Sequence, residues 1–227
     1  NENKSSISCE QTPKNIYYLN EILAFFPQAK VINMVRDQRD VLLSQKNKWK
    51  RRFLGASKIP LSEAIRSYIN YHPILTSKVW NSSLEHTAKY FDNERVKIVK
   101  FEELLAKPES VVKDICNFLA IEFHLQMLNV SVVGSSTEQD NQDSFLLDSS
   151  KIEKWKKGGL NSAEIYLSQL TSHTMMSKFS YHLEKSQLPP LLSIFYIITF
   201  PVKLGLAFLL NLKRMGNMVE VINKRFF

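Results

Sequence analysis

The chain has 227 residues, 44% hydrophobic and 23% charged, with six glycines, eight prolines and two cysteines. That balance suits one globular domain with room for an appendage, and it excludes a disordered, collagen-like or multi-span membrane protein. The net charge of +8 points to an anionic partner: nucleic acid, a phosphate ligand, an acidic glycan or a membrane surface. The chain begins at Asn1 rather than Met and reads as processed, trimmed or a fragment. Cys9 and Cys116 are too few for a disulfide framework or a tetrahedral metal site. Two free thiols are a simpler reading than a single bridge. The histidines at 72, 86, 124, 173 and 182 stand singly and no HExxH or CxxC occurs, so no metal is expected.

Residues 16–26 (IYYLNEILAFF) carry apolar side chains at helical spacing, which predicts a helix ending near Pro27. Residues 30–35 (KVINMV) are a short β-branched run, a buried strand. Residues 40–50 return to helix. Between 45 and 58, Lys46, Lys48, Lys50, Arg51, Arg52 and Lys58 stand with no acid; the run is either a solvated helix end or a ligand-facing patch. Residues 61–90 fit one or two helices, broken or kinked at Pro73. Residues 96–101 (VKIVKF) alternate as a second strand. Pro108–Leu119 is a helix with Pro at its start and Glu109 in its first turn. Strands alternating with helices imply a parallel sheet covered on both faces.

Residues 134–150 are polar and predict a long loop. Residues 151–159 (KIEKWKKGG) form a basic segment with one Trp, and 162–179 is weakly helical. Residues 188–212 then hold 25 residues with one charge, Lys203. Spanning a bilayer takes about 20 apolar residues, but Pro201 and Lys203 fall mid-segment, where a proline kinks and a lysine is costly. Three placements remain open: an interfacial or re-entrant helix pair, buried C-terminal packing, or a span. Lys213, Arg214, Lys224 and Arg225 follow and suit an anionic leaflet. The division expected is an α/β domain over 1–187 and an apolar, basic-flanked tail over 188–227.

The stretch 31–44 carries the chemistry. A strand delivers Arg36 at its C-terminal end, where open α/β sheets bind ligands, and a helix starting about four residues later turns its N-terminal amides to the same place. Ser44 falls near that helix's second turn. Arg offers a planar fork to phosphate and Ser a hydroxyl; Asp37 and Asp40 pair with Arg36 or Arg39, or cap the helix. A phosphate site and a capping network are both compatible with this spacing.

The ordered blocks CEQTPKN, FPQAKVINMVRDQRDVLLS, VKIVKFEELLAKPESVVKDICNFLAI and KIEKWKKGGL resemble the sulfotransferases that use 3′-phosphoadenosine-5′-phosphosulfate (PAPS), especially the bacterial and Golgi branches acting on glycans or tyrosyl peptides. The resemblance covers about residues 9–165. It implies a P-loop-NTPase-like parallel sheet flanked by helices, with PAPS as co-substrate and 3′-phosphoadenosine-5′-phosphate (PAP) as product. It further implies transfer of a sulfuryl group to a hydroxyl or amine of a glycan, glycolipid or protein acceptor. Carried over by position, Arg36 and Ser44 hold the 3′-phosphate. Lys154, Trp155, Lys156 and Lys157 lie in a late basic loop that closes on the nucleotide, with an exposed basic loop as the plainer alternative. Glu102 matches a structural acid at a strand end.

Two departures stand out. The family's glycine-rich loop for the 5′-phosphosulfate, G-x-x-R/K-S/T-G-S/T, is absent from these residues and is expected on an upstream segment. The family's E-K-T-P lysine, which stabilises the leaving phosphate, is here Gln11, with Lys14 three residues on. Glu10 is the one carboxylate beside it and reads as a structural contact rather than the general base. The alternatives are a catalytically degenerate, membrane-associated binding module, a P-loop kinase, disfavoured for want of GxxxxGK[ST], and a nucleic-acid binder, disfavoured because few aromatics interleave with the basic run. A bacterial protein of this kind would work at the cytoplasmic face of a membrane, a eukaryotic one in the Golgi lumen. The triplets at Asn81 and Asn129 fit glycosylation sequons, a pattern that also arises by chance.

Overall fold

A computed structural model describes residues 7–54, 59–132, 141–145, 147, 149–185 and 189–212. Lys58, Leu188, Lys213, Arg214, Lys224 and Arg225 lie outside the described residues. The architecture is α/β and mostly helical. A 3-10 helix (Pro13–Tyr18) leads into α1 (Leu19–Phe25), β1 (Val31–Val35), α2 (Gln38–Asn47) and a second 3-10 helix (Lys48–Phe53). Then come α3 (Leu61–Asn70), α4 (Pro73–Ala88), β2 (Val96–Lys100), α5 (Phe101–Ala106) and α6 (Pro108–Leu119). A 3-10 turn (Leu125–Leu128), β3 (Ser131–Val132) and β4 (Asn141–Phe145) precede two short 3-10 turns, Ser149–Lys151 and Lys154–Lys157. The chain closes with α7 (Ser162–Lys178) and α8 (Pro190–Asn211).

Local chemistry accounts for most boundaries. Asp37 caps α2, its carboxylate accepting from the Arg39 amide at 2.8 Å. His72 is extended (φ −157°) ahead of Pro73, which is why one long helical pattern becomes α3 and α4. Pro108 opens α6 and left-handed Ala120 (φ 58°) closes it, with the Ile121 amide turned back onto the Cys116 carbonyl. Asn161 and Glu164 form a reciprocal capping box at the start of α7.

β1 and β2 pair in parallel, Val31 opposite Val96 through Val35 opposite Lys100. One face of this pair is well covered: Val35 packs with Trp80 and Leu84 of α4, Met176 of α7 and Phe179. A second cluster joins Leu19 and Leu23 of α1 to Tyr90 and Val96. On the other face Val99 is buried, and α6 reaches Lys97 through the Asp114 carboxylate at 2.7 Å. There Ile32 and Met34 of β1 remain 39% and 48% exposed, so the sheet expected to be covered on both faces is bare along β1. Another difference lies in 134–150: the polar stretch predicted as loop holds β4, antiparallel to β3. Ladder pairing there overrides a composition poor in strand formers. In the C-terminal stretch, α8 is one continuous helix running through Pro201, not a helix pair, and most of its surface is exposed.

Candidate functional site

The site grows from the register of the two parallel strands. Val35 lies opposite Lys100, so the residues leaving the sheet next, Arg36 and Phe101, emerge side by side. The Arg36 guanidinium stacks on the Phe101 ring, 4.5 Å from its centroid. The Trp80 indole N–H donates to the Arg36 carbonyl at 3.0 Å, fixing the backbone from which the side chain departs. The Arg36 side chain is 27% exposed, 3.6 Å from an Asp40 carboxylate oxygen and 3.4 Å from the Lys151 carbonyl. Its Nε is buried without a hydrogen-bond partner. A guanidinium held by a ring face and two long contacts keeps donors for an incoming anion.

The α2 N-terminus behind it is a closed network. The Glu102 carboxylate accepts from the Asp37 amide at 2.8 Å and from the Tyr181 hydroxyl at 3.2 Å. Burial and the neighbouring Glu102 charge push Tyr181 well up, so it stays a donor. Arg39 chelates Asp37 with contacts of 3.0 and 2.6 Å and donates to Gln169 at 3.0 Å. The amides of Asp37 and Arg39 are thus engaged inside the protein. Asp40 and Ser44, four residues and about 6 Å of rise apart, share one face of α2, with Arg36 just ahead of the helix and its guanidinium against Asp40. Ser44 is half-buried on the second turn of α2.

The segment 149–157 closes onto this turn. The Trp155 amide donates to Asp40 at 2.9 Å. Burial pushes the Asp40 carboxyl above the usual carboxylate range, against the pull of that amide and of Arg36. The Trp155 ring is 5% exposed, with the Arg39 guanidinium 4.1 Å from its centroid; it pins the segment to α2 and is not presented to solvent as a stacking platform. Gly159 lets the chain pass α2, since a Cβ there, at φ 92°, would fall 2.6 Å from a Leu43 methyl.

Of the anticipated residues, Arg36, Ser44 and the 154–157 segment meet around α2. Lys156 is exposed and paired with Glu153 at 2.8 Å and Glu184 at 3.1 Å. Lys157 donates to the Ser150 carbonyl at 2.8 Å, and Lys154 is half-buried. Gln11 and Lys14 are exposed on the N-terminal segment; the contacts described for Arg36 include neither. Glu10 accepts from the Thr12 hydroxyl. Sequence reasoning anticipated Asp40 as a partner of Arg36 and missed Phe101; equal strand lengths in parallel register were the signal for Phe101. Among the described residues no His, Cys, Asp and Glu cluster could hold a metal ion.

A family model described as the sulfotransferase family matches residues 1–124. A Caenorhabditis elegans protein named "Putative protein-tyrosine sulfotransferase" is 27% identical over 138 residues, 60% of this chain and 48% of that protein. A Caenorhabditis briggsae protein of the same name is 25% identical over 138 residues, 60% of this chain and 45% of its own length. The chain spans about half the length of these curated relatives. Among solved structures, the sulfotransferase domain from the curacin biosynthetic pathway superposes with a TM-score of 0.54 at 21% identity, over 77% of this chain and 62% of that one. The sulfotransferase domain from the Synechococcus PCC 7002 olefin synthase does so with a TM-score of 0.51 at 23% identity, over 76% and 56%.

Proposed function

Because the chain belongs to the sulfotransferase family, whose model matches more than half of its length, we propose that the protein transfers a sulfuryl group from PAPS to an acceptor hydroxyl, and that Arg36 and Ser44 hold the donor's 3′-phosphate. The observation carrying this reading is the half-open Arg36 guanidinium, stacked on Phe101 with its Nε unpartnered, at the C-terminal end of a parallel strand. A phosphate fits it: the fork has donors to give, Asp37 and Glu102 are engaged with Arg39 and Tyr181, and Asp40, the acid nearest it at 3.6 Å, has its carboxyl pushed up by burial.

The donor supplies an activated sulfuryl group, whose sulfur–oxygen bond to PAP breaks as the acceptor oxygen bonds to sulfur and yields its proton to a base. The chain's own part is positioning. Phe101 and the Trp80–Arg36 bond orient the guanidinium, and Trp155 holds the 149–157 segment against α2 through Asp40. Lys154, Lys156 and Lys157 add positive charge at the rim. The 5′-phosphosulfate end calls for the family's glycine-rich loop, which residues 1–227 do not contain; the bare face of β1 at Ile32 and Met34 has room for a further element packed over the sheet there. Names of the nematode relatives favour a tyrosyl acceptor in a protein; the apolar α8 keeps glycan or lipid-linked hydroxyls near a membrane in the comparison.

The test uses the full-length protein and calorimetric titration. Arg36→Ala is expected to weaken PAP binding by about 2–3 kcal/mol, the scale of a lost charge-assisted bond. Adenosine 5′-phosphosulfate, which lacks the 3′-phosphate, should lose little; equal losses for both ligands overturn the assignment of Arg36. Sulfate transfer from labelled PAPS to a tyrosyl peptide or a glycan establishes the enzyme. Binding without turnover would instead favour the degenerate module, the reading that Gln11 at the lysine position keeps in play.

A further inference from the structure

Helix α8 is built inside out. Ser193, Tyr196, Phe200, Lys203, Ala207 and Asn211 recur every three or four residues and form the side turned to the domain. Ser193 is 2% exposed. The Tyr196 carbonyl accepts from His72 and its hydroxyl meets Asn161, both near 3.0 Å (3.0 and 3.1 Å). The same hydroxyl is 3.2 Å from Glu164. Asn211 accepts from Arg66 at 2.8 Å and donates to Asn70 at 3.1 Å. The opposite stripe is apolar and bare: Leu191 is 83% exposed, Ile198 67%, Val202 63% and Leu209 62%.

The bare surface continues beyond α8. Lys203 carries its ammonium 5.3 Å above the Tyr68 ring. Tyr68, 6.0 Å from Trp49, belongs to an outward stripe of α3 with Leu61 and Ile65. Phe53 completes the aromatic group, 6.1 Å from Trp49. The 3-10 helix bearing these aromatics also carries Lys48, Lys50, Arg51 and Arg52. An apolar helix face edged by Trp, Tyr and cations is the composition that sits at the boundary between lipid headgroups and acyl chains.

We propose that this face, α8 with the outer stripe of α3 and the Trp49 corner, docks flat on an anionic lipid bilayer. A crossing orientation conflicts with the packing. The helix is about 33 Å long (22 residues at 1.5 Å each), and it is hydrogen-bonded to the domain from Tyr196 to Asn211, so a crossing would draw α3, α4 and their charges into hydrocarbon. Charge complementarity selects the occupant: the cations beside the patch suit an anionic surface and disfavour a second copy, which would bring its own cations to the contact. The proposal stands apart from sulfuryl transfer, and neither reading falls with the other.

The experiment places a nitroxide in turn on Leu191→Cys, Ile198→Cys and Leu209→Cys of the full-length protein, in a Cys9→Ser background. The protein is synthesised in the presence of phosphatidylcholine vesicles with or without phosphatidylserine, and label depth is read from oxygen against nickel-chelate accessibility. Three equal, shallow depths on the phosphatidylserine vesicles are expected. Lys48→Gln with Lys50→Gln should weaken partitioning about fivefold per cation removed. Val202→Glu with Leu206→Glu should return all three labels to water while leaving the thermal melt unchanged. A depth gradient with position 198 deepest marks a span and overturns the proposal. So do labels that stay in water with both vesicles, labels immobilised without lipid in a dimer, and equal partitioning onto vesicles lacking phosphatidylserine.

Discussion

The first turn of α2 and the outer face of α8 invert the usual relation between polarity and exposure. Asp37, Gln38, Arg39 and Asp40 are all 4% exposed or less, while much of the apolar side chain of α8 faces outward. In the α2 turn each charge has company: Arg39 lies between Asp37, Gln169 and the Trp155 ring, and Gln38 donates to Ser77 at 2.7 Å. Burial there is tolerated because most of the network is paired, Gln38 Oε1 and Asp40 Oδ2 being the buried oxygens without a hydrogen bond, and it holds a platform behind Arg36. On α8 the polar atoms have gone to the domain, leaving the hydrocarbon for something else. Exposure follows what a side chain meets, not how it ranks on a polarity scale.

The comparison breaks most sharply at Asp37. Asp37→Ala strips α2 of its cap and leaves Arg39 buried and unpaired; a loss of about 3–5 kcal/mol is expected in denaturant unfolding. A smaller effect is expected where the two regions join. Glu164, fully buried, takes hydrogen bonds from Lys46 of α2 at 2.7 Å, from Tyr71 at 2.6 Å and from the Asn161 amide at 2.8 Å. Glu164→Gln should cost about 1–3 kcal/mol and speed hydrogen exchange of the α8 amides, whereas unchanged exchange would mean that this carboxylate does not hold α8. Next comes a pH effect under α8. Burial pushes the His72 imidazole below its ordinary value, with Lys203 adding to the shift and the Tyr196 carbonyl opposing it. The folded state therefore binds fewer protons than the unfolded one. Stability is held above the unfolded pKa near 6.5 and is lost as pH falls toward the folded value. Melting curves from about pH 7 to 5 should show that decline, and His72→Gln should flatten it. Smallest of all, Val202→Ser on the bare face should change stability by no more than about 0.5 kcal/mol. A larger loss would show that Val202 is packed in the folded protein.

Much of this was legible in residue order. Pro108 and Pro73 mark helix starts, Asp37 is a cap in name and in place, and β1 and β2 read as strands from their β-branched runs. The turn that delivers Arg36 was legible too, since a strand followed by an acidic cap determines where its next side chain goes. The burial of Trp155 was not, because it depends on Arg39, 116 positions earlier in sequence order, turning inward to meet it. Lys203 looked like a misfit in an apolar run because its partner, Tyr68, is far away in the chain. β4 was hidden for the same reason: its strand character comes from pairing with β3 rather than from its own polar residues. Local signals mark where elements begin and end; contacts between distant segments decide which side of them is wet.

The long return from β1 to β2 also sets a calendar for assembly. Val31 pairs with Val96, so α2, α3 and α4 must leave the ribosome before β1 acquires its neighbour, and such distant parallel pairing is slow. Arg36 emerges early, Phe101 arrives much later, and the Lys151 carbonyl comes later still. A nascent chain stalled short of residue 96 presents β1 as an unpaired strand with Ile32 and Met34 uncovered, a template for foreign strands. The end of the sheet that carries Arg36 is thus among the last parts to mature, and translation speed across α3 and α4 governs how long that hazard lasts.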